Sequence, residues 1–152
     1  MAASAWRMYA SAKEYIGDST IDLDGHTFTA QLHSSSYTPD LNSHTVRADL
    51  TNELATANGY TAGGANLGSV TWVNSSGTVT FDSADVQWTA SGGSITARFS
   101  VIYDNTPASP LDPLLCYALL DTTPADVTAT AGNTFTVQMN ASGIFTMSGM
   151  TT

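Results

Sequence analysis

The sequence predicts an all-β protein: a single antiparallel β-sandwich or jelly-roll-like domain with a short N-terminal helix. Composition is the first reason, because the chain contains 23 Thr and 17 Ser, and Thr favours strands. Regular spacing is the second, because about eight to ten short segments of strand character are separated by turn residues. Length is the third, since 152 residues suffice for one domain with its own core.

The N-terminal segment is the best helix candidate. From Ser4 to Ile16, large apolar residues recur at spacings of three and four, and Gly17 is a natural helix end. We therefore divide the chain into an N-terminal helix or arm, residues 1–17, and a β-sandwich domain, residues 18–152. Two roles stay open for the helix. It covers the domain's own core, or it is an arm for a neighbouring subunit, whose deletion (residues 1–16) would weaken attachment and leave the β-domain folded.

The stretch DSTIDLDGH, residues 18–26, places three Asp residues close together. Part of it resembles a calcium loop, but such a loop needs further oxygen ligands in order and a closing Glu. A strand follows here at once. We therefore predict a turn in which Asp side chains accept hydrogen bonds from nearby backbone amides.

The first strand is predicted within HTFTAQLHS, residues 26–34. Phe28, Ala30 and Leu32 alternate with polar residues, which is the period of a half-buried strand. On this pattern His33 belongs to the polar face and lies at the surface.

The rest of the chain continues as strands and turns. GYTAGGANL, residues 59–67, has glycines typical of turns or of close backbone approach. The hairpin turn NSSG, residues 74–77, joins two strands. Further strands are predicted in DVQWT, in one long strand from Ile95 to Tyr103, in the apolar run LLCYALLD suited to a central strand, and in DVTATA, NTFTVQMN and GIFTMS.

Charge excludes two classes of partner. The chain has 4 basic and 13 acidic residues and a formal charge of −9. Nucleic-acid binding requires clustered Lys and Arg, and attraction to an anionic membrane requires the same. No nucleic acid and no membrane are expected as partners. A basic protein surface fits the charge, because long-range attraction steers such an encounter.

No pattern of catalytic or metal-binding residues is present. His26, His33 and His44 lack the spacing of a zinc site, and no nucleophile elbow, P-loop or dinucleotide fingerprint occurs. The single cysteine, Cys116, is expected to be a small buried apolar residue. We therefore expect no enzyme activity, no catalytic residue, no metal and no cofactor.

Several stretches in fixed order resemble a group of small structural proteins of tailed bacteriophages. They are AKEYIGDSTIDLDGHTFTAQLHSSSYTPDL, GYTAGGANL, ITARFSVIYDN, PLLCYALLD and NTFTVQMNASGIFTM. The resemblance spans residues 13–147 and leaves out the first dozen residues. It implies a virion component, with head decoration (cement) protein as the preferred role, on a jelly-roll or sandwich fold.

The resemblance also implies partners and a place. The partners would be the major capsid protein and copies of the chain itself, as a trimer or a dimer, on the capsid surface of a virion made in the host cytoplasm. Candidate contacts lie in the N-terminal segment: Trp6, Arg7, Tyr9, Lys13 and Tyr15. The alternative is a tail or fibre module that binds a host glycan through Trp72 or Trp88, although both lie in strand patterns that favour packing.

Overall fold

The computed structural model describes residues 3–123 and 125–149. The ends of the two predicted units, residues 1–2 and 150–152, lie outside the described residues. Its elements, in chain order, are β1 (Arg7–Met8), α1 (Ala10–Gly17), β2 (Phe28–His33), a 3-10 turn (Arg47–Asp49), β3 (Ala65–Asn66), β4 (Thr71–Ser75), β5 (Thr78–Asp82), β6 (Val86–Thr89), β7 (Ile95–Ala97), β8 (Phe99–Asp104), β9 (Leu114–Leu119), β10 (Val127–Ala129), β11 (Thr134–Val137) and β12 (Phe145–Ser148).

The strands form antiparallel sheets, which confirms the predicted all-β class with a short N-terminal helix. The largest sheet has the order β1-β9-β8-β2-β3, and a three-stranded sheet has the order β12-β5-β4. Two further pairs, β11–β6 and β10–β7, complete the described strands. The hairpin predicted at NSSG is present, because β4 and β5 pair from Thr71 opposite Asp82 to Ser75 opposite Thr78.

Aromatic contacts pack between and within the sheets around one core. The Phe28 ring of β2 meets the Phe81 ring of β5 edge-on, with centroids 5.1 Å apart. Trp88 of β6 contacts Tyr60 at 5.7 Å and Phe135 of β11 at 6.4 Å. The apolar run predicted as a central strand is β9, which pairs with β8 on one side and β1 on the other and contains buried Cys116.

The helix begins six residues later than the sequence pattern predicts. It runs from Ala10 to Gly17, and the residues before it lie along β9, with Arg7 opposite Tyr117 and Met8 opposite Cys116. The amide of Ser4 also donates to the carbonyl of Leu119. Spacings of three and four in so short a segment do not separate helix from strand, and pairing with β9 decides the conformation.

The long strand predicted from Ile95 to Tyr103 is divided at Arg98. Its first part, β7, pairs with β10, and its second part, β8, pairs with β2 and β9. The amide of Arg98 donates to the carbonyl of His33 at the junction. Burial alternates along β7 but not along β8, which is covered on both faces, and the two halves belong to different sheets.

The Asp-rich stretch is a turn, as predicted. Asp18 Oδ1 accepts from the Thr20 amide, and Asp22 Oδ1 accepts from the amides of Asp24 and Gly25. The turn is held against β8 by His26, whose Nδ1 lies 2.6 Å from Oδ2 of Asp104. Asp104 is fully buried, and burial raises the pKa of its carboxyl group.

Candidate interaction surface at the N-terminal segment

The N-terminal segment, residues 3–17, is part of the domain's core. Tyr9 is fully buried. Its amide donates to the carbonyl of Leu115 at 3.1 Å, and its hydroxyl lies 2.8 Å from the hydroxyl of Tyr37. The ring centroid is 5.8 Å from that of Tyr117, and Ala12 of α1 is also fully buried. The helix therefore covers the domain's own core, which is one of the two roles left open by the sequence.

Four of the five candidate contact residues nevertheless reach the surface. Arg7 and Lys13 are exposed, and Trp6 and Tyr15 are half-buried. Tyr9 is the exception, because its side chain points into the core. Its role is therefore to hold the segment in place, and it is not available to a partner.

The two cations of this segment, Arg7 and Lys13, form no ion pair within the described parts of the chain, and the segment also contains one acid, Glu14. Arg7 Nη1 donates to the Tyr117 hydroxyl at 3.3 Å, and its guanidinium lies 5.9 Å from that ring's centroid. Neither Arg7 nor Lys13 forms an ion pair there. The other two cations do, since Arg98 contacts Asp126 at 2.7 Å, and Arg47 contacts two acids, Glu53 and Asp112.

A groove of about 910 Å³ lies beside this segment. Residues 3–6 form one side of it, and parts of β11, the following loop and β12 form the other. Trp6 contributes an indole to the lining, with Phe135, Met139 and Phe145 as further large apolar residues. The N-terminal segment thus has a half-buried aromatic side chain in the groove and two exposed cations outside the groove lining.

His33 does not lie at the surface, which corrects the prediction from strand alternation. It is fully buried, because β2 is covered on both faces. Its Nδ1 donates to the carbonyl of Thr51 at 2.8 Å, so its Nε2 accepts from the Gln31 amide at 2.7 Å. Gln31 Oε1 in turn accepts from Arg47 Nε at 3.1 Å. This chain of hydrogen bonds requires a neutral His33.

Stability should therefore fall in mild acid. Burial lowers the pKa of His33, and the Arg47 guanidinium acts in the same direction, whereas the bond to Thr51 and the Glu53 carboxylate oppose the shift. The unfolded chain binds this proton near pH ~6.5. The contribution is complete above that pH and is lost as the pH falls below it, by at most about 1.4 kcal/mol per pH unit.

Urea unfolding between about pH 5.5 and 7.5 measures this loss. His33→Gln should flatten the pH dependence, because the titrating group is gone. The matched control is His44→Gln, at a half-buried loop histidine, which leaves His33 and its hydrogen-bond partners in place. An unchanged slope in His33→Gln would contradict the assignment.

The two tryptophans considered for sugar binding are used in packing, as their strand patterns favour. Trp88 is 7% exposed and packs on Tyr60 and Phe135. Trp72 is half-buried, lies opposite Phe81 across the hairpin and has its ring centroid 6.2 Å from that of Phe145.

The comparisons with known proteins gave no match: no family model, no curated protein and no solved structure is significantly similar to the chain. Within residues 3–123 and 125–149, no three His, Cys, Asp or Glu side chains are grouped so as to hold a metal ion. No described helix has the length and apolar character needed to cross a membrane.

Proposed function

We propose that the protein is a non-enzymatic structural component of a phage virion that binds and stabilises the capsid surface as a decoration protein. The observation that carries the proposal is that residues 3–17 are anchored to the core while several of their side chains stay at the surface. Tyr9 fixes this segment to β9 and Tyr37, while Trp6, Arg7 and Lys13 stay at the surface. A pre-ordered surface loses little conformational entropy on binding. The resemblance of the stretches within residues 13–147 to structural proteins of tailed bacteriophages is consistent with the same role.

Charge supports a protein partner with an acidic site facing the N-terminal segment. The chain is strongly acidic overall, at −9, yet its two cations without an ion pair among the described residues are both in this segment. Such an arrangement orients the molecule during the encounter: the segment is attracted to acidic groups, and the remaining surface to basic ones. The partner that fits the proposal is the major capsid protein.

The proposal predicts that DNA-filled heads lacking the protein release their DNA at a lower temperature, and that adding the protein restores the wild-type temperature. Arg7→Ser/Lys13→Ser should weaken attachment about tenfold or more, as expected for two lost charge contacts of ~1 kcal/mol each. Its fold should persist, because both side chains are exposed. Heat-induced DNA release and sedimentation of heads with bound protein measure the two effects.

The matched control changes the net charge equally at a different place. Gln87→Glu/Ser91→Asp also lowers the charge by two, and both positions are exposed. This variant should bind like the wild type if the N-terminal segment makes the contact. Equal loss in both double variants would show that only net charge matters, and no loss in either would remove the segment from the binding surface.

A further inference from the structure

Strand β4 is an unprotected edge. It lies at the end of the sheet β12-β5-β4, and no strand among the described residues pairs with its outer side. Edge strands usually carry Lys, Pro or a bulge that prevents pairing with another chain. The sequence of β4, TWVNS, has neither residue, and its register with β5 is continuous over five pairs. Its outer backbone groups are therefore free to template another strand.

The surface around this edge is almost free of charge. In the three strands of this sheet only Asp82 is charged. At the centre of β4, Val73 is one of the three large apolar side chains exposed in the described chain, with an exposed fraction of 57%. Interface cores are depleted in charge in the same way. In a molecule of net charge −9, this is a surface that a second copy approaches with little repulsion.

The other end strands of the two larger sheets are less suited to pairing than β4. β1 and β3, at the two ends of the five-stranded sheet, have two residues each, and short edges are poor templates. At the opposite end of the three-stranded sheet, Phe145 and Thr146 of β12 line the groove across from residues 3–6. That side is next to the chain's own N-terminal segment, whereas β4 is not.

We propose that β4 pairs antiparallel with β4 of a second copy, about a twofold axis through Val73. Val73 is the middle residue of Thr71–Ser75, so each Val73 would face the partner subunit's Val73. Trp72 would then be opposite the partner subunit's Asn74, and Thr71 opposite the partner subunit's Ser75. No like charges meet, and β-branched side chains face each other at the centre, which favours cross-strand pairing. The two three-stranded sheets become one sheet of six strands.

This pairing deepens the proposed function by naming the surface through which copies associate, but it holds in solution without any capsid. A closed twofold contact uses the same patch on both molecules and adds no further free edge at β4. The proposed assembly is therefore a dimer, whereas the resemblance allowed either a dimer or a trimer.

Sedimentation equilibrium of the purified full chain tests the proposal. The wild type should be a dimer at micromolar concentration. Val73→Lys should raise the dissociation constant at least about tenfold, because it places two ammonium groups side by side at the axis. The matched control is Thr146→Lys, which puts the same charge at an exposed position of β12, on the sheet's other edge, and should remain a dimer.

Three results would overturn the pairing: a monomeric wild type at about 100 µM, a trimer, or a dimer that Val73→Lys leaves intact. If Val73→Lys fails to fold, hydrogen exchange of the wild type decides, since the β4 amides should become more protected as protein concentration rises. Dimers that do not bind heads would refute the capsid role alone. Heads that bind a monomeric wild type would refute the pairing alone.

Discussion

Tyr9→Ala should lower the free energy of unfolding by about 3–5 kcal/mol, the usual loss when a large buried aromatic ring is truncated. Tyr9 is fully buried, and its ring contacts that of Tyr117. The truncation also removes one of the two partners of the Tyr37 hydroxyl, the Tyr9 hydroxyl at 2.8 Å, and leaves His44 Nδ1 at 3.2 Å. Urea unfolding followed by circular dichroism measures the change.

Two variants separate packing from the other contributions. Tyr9→Phe keeps the ring and should lose only about 0.5–1.5 kcal/mol, the net contribution of one hydrogen bond. Lys13→Ser, at an exposed position, should change stability by less than about 0.5 kcal/mol. A loss below about 1 kcal/mol for Tyr9→Ala would mean that the segment is not part of the core. The expected large loss would mean that deleting residues 1–16 unfolds the domain, so deletion is not a clean test of an arm.

Gly64→Ala should cost about 4 kcal/mol or more, which is exceptional for the addition of one methyl group. Gly64 precedes β3 and has φ +86°, in the region where a side chain is strained. A Cβ there would lie 2.0 Å from the carbonyl oxygen of Ala30 and 2.7 Å from its carbonyl carbon. This clash can be relieved only if the β2 backbone moves at Ala30, which is next to Gln31 and three residues before the buried His33.

Gly77→Ala is the control for the backbone conformation alone. Gly77, in the β4–β5 turn, has φ +87°, and a Cβ there would meet nothing within 4 Å. It should cost only the left-handed strain of about 1–2 kcal/mol. The difference between the two variants, measured by urea unfolding, is the cost of the close approach. Equal losses would contradict the contact between Gly64 and β2.

Local patterns were sufficient to predict most of the strands and turns. Alternating polarity placed β2, β6 and β11 correctly, and NSSG placed the hairpin, because these signals depend on neighbouring residues only. The glycine-rich stretch was predicted to bring backbones close together, and Gly64 against Ala30 is such an approach. The Asp turn followed from side chains that bond backbone two or three residues away.

The predictions were wrong where residues distant in the sequence determine the local conformation or burial. Residues 4–8 were predicted to be helical, yet Arg7 and Met8 form the edge strand β1 beside β9, which is more than a hundred residues away in the sequence. The Ser4 amide also donates to the carbonyl of Leu119 in β9. His33 has the polar position of an alternating strand, but it is buried with Gln31 beneath the loop that carries Thr51 and Arg47. No local sequence pattern indicates that this loop covers His33 and Gln31. Strand order is equally non-local, so the free edge at β4 was not predictable from the sequence.

The candidate surface was predicted in part. Trp6, Arg7 and Lys13 were singled out because they are aromatic or basic in an acidic chain, and these properties are read directly from the sequence. Tyr9 was grouped with them on the same grounds, although its ring fills the core. Side-chain direction in a segment of mixed strand and helix depends on its partner strand, which composition does not reveal.

The most direct test of the capsid role is a titration of DNA-filled heads that lack this protein with the purified wild-type chain. Bound copies are counted after sedimentation, with Arg7→Ser/Lys13→Ser and Gln87→Glu/Ser91→Asp run in parallel. The decoration role predicts saturation at a copy number set by icosahedral symmetry, with weaker binding only for the first variant. No binding, or only a handful of copies per head, would contradict it.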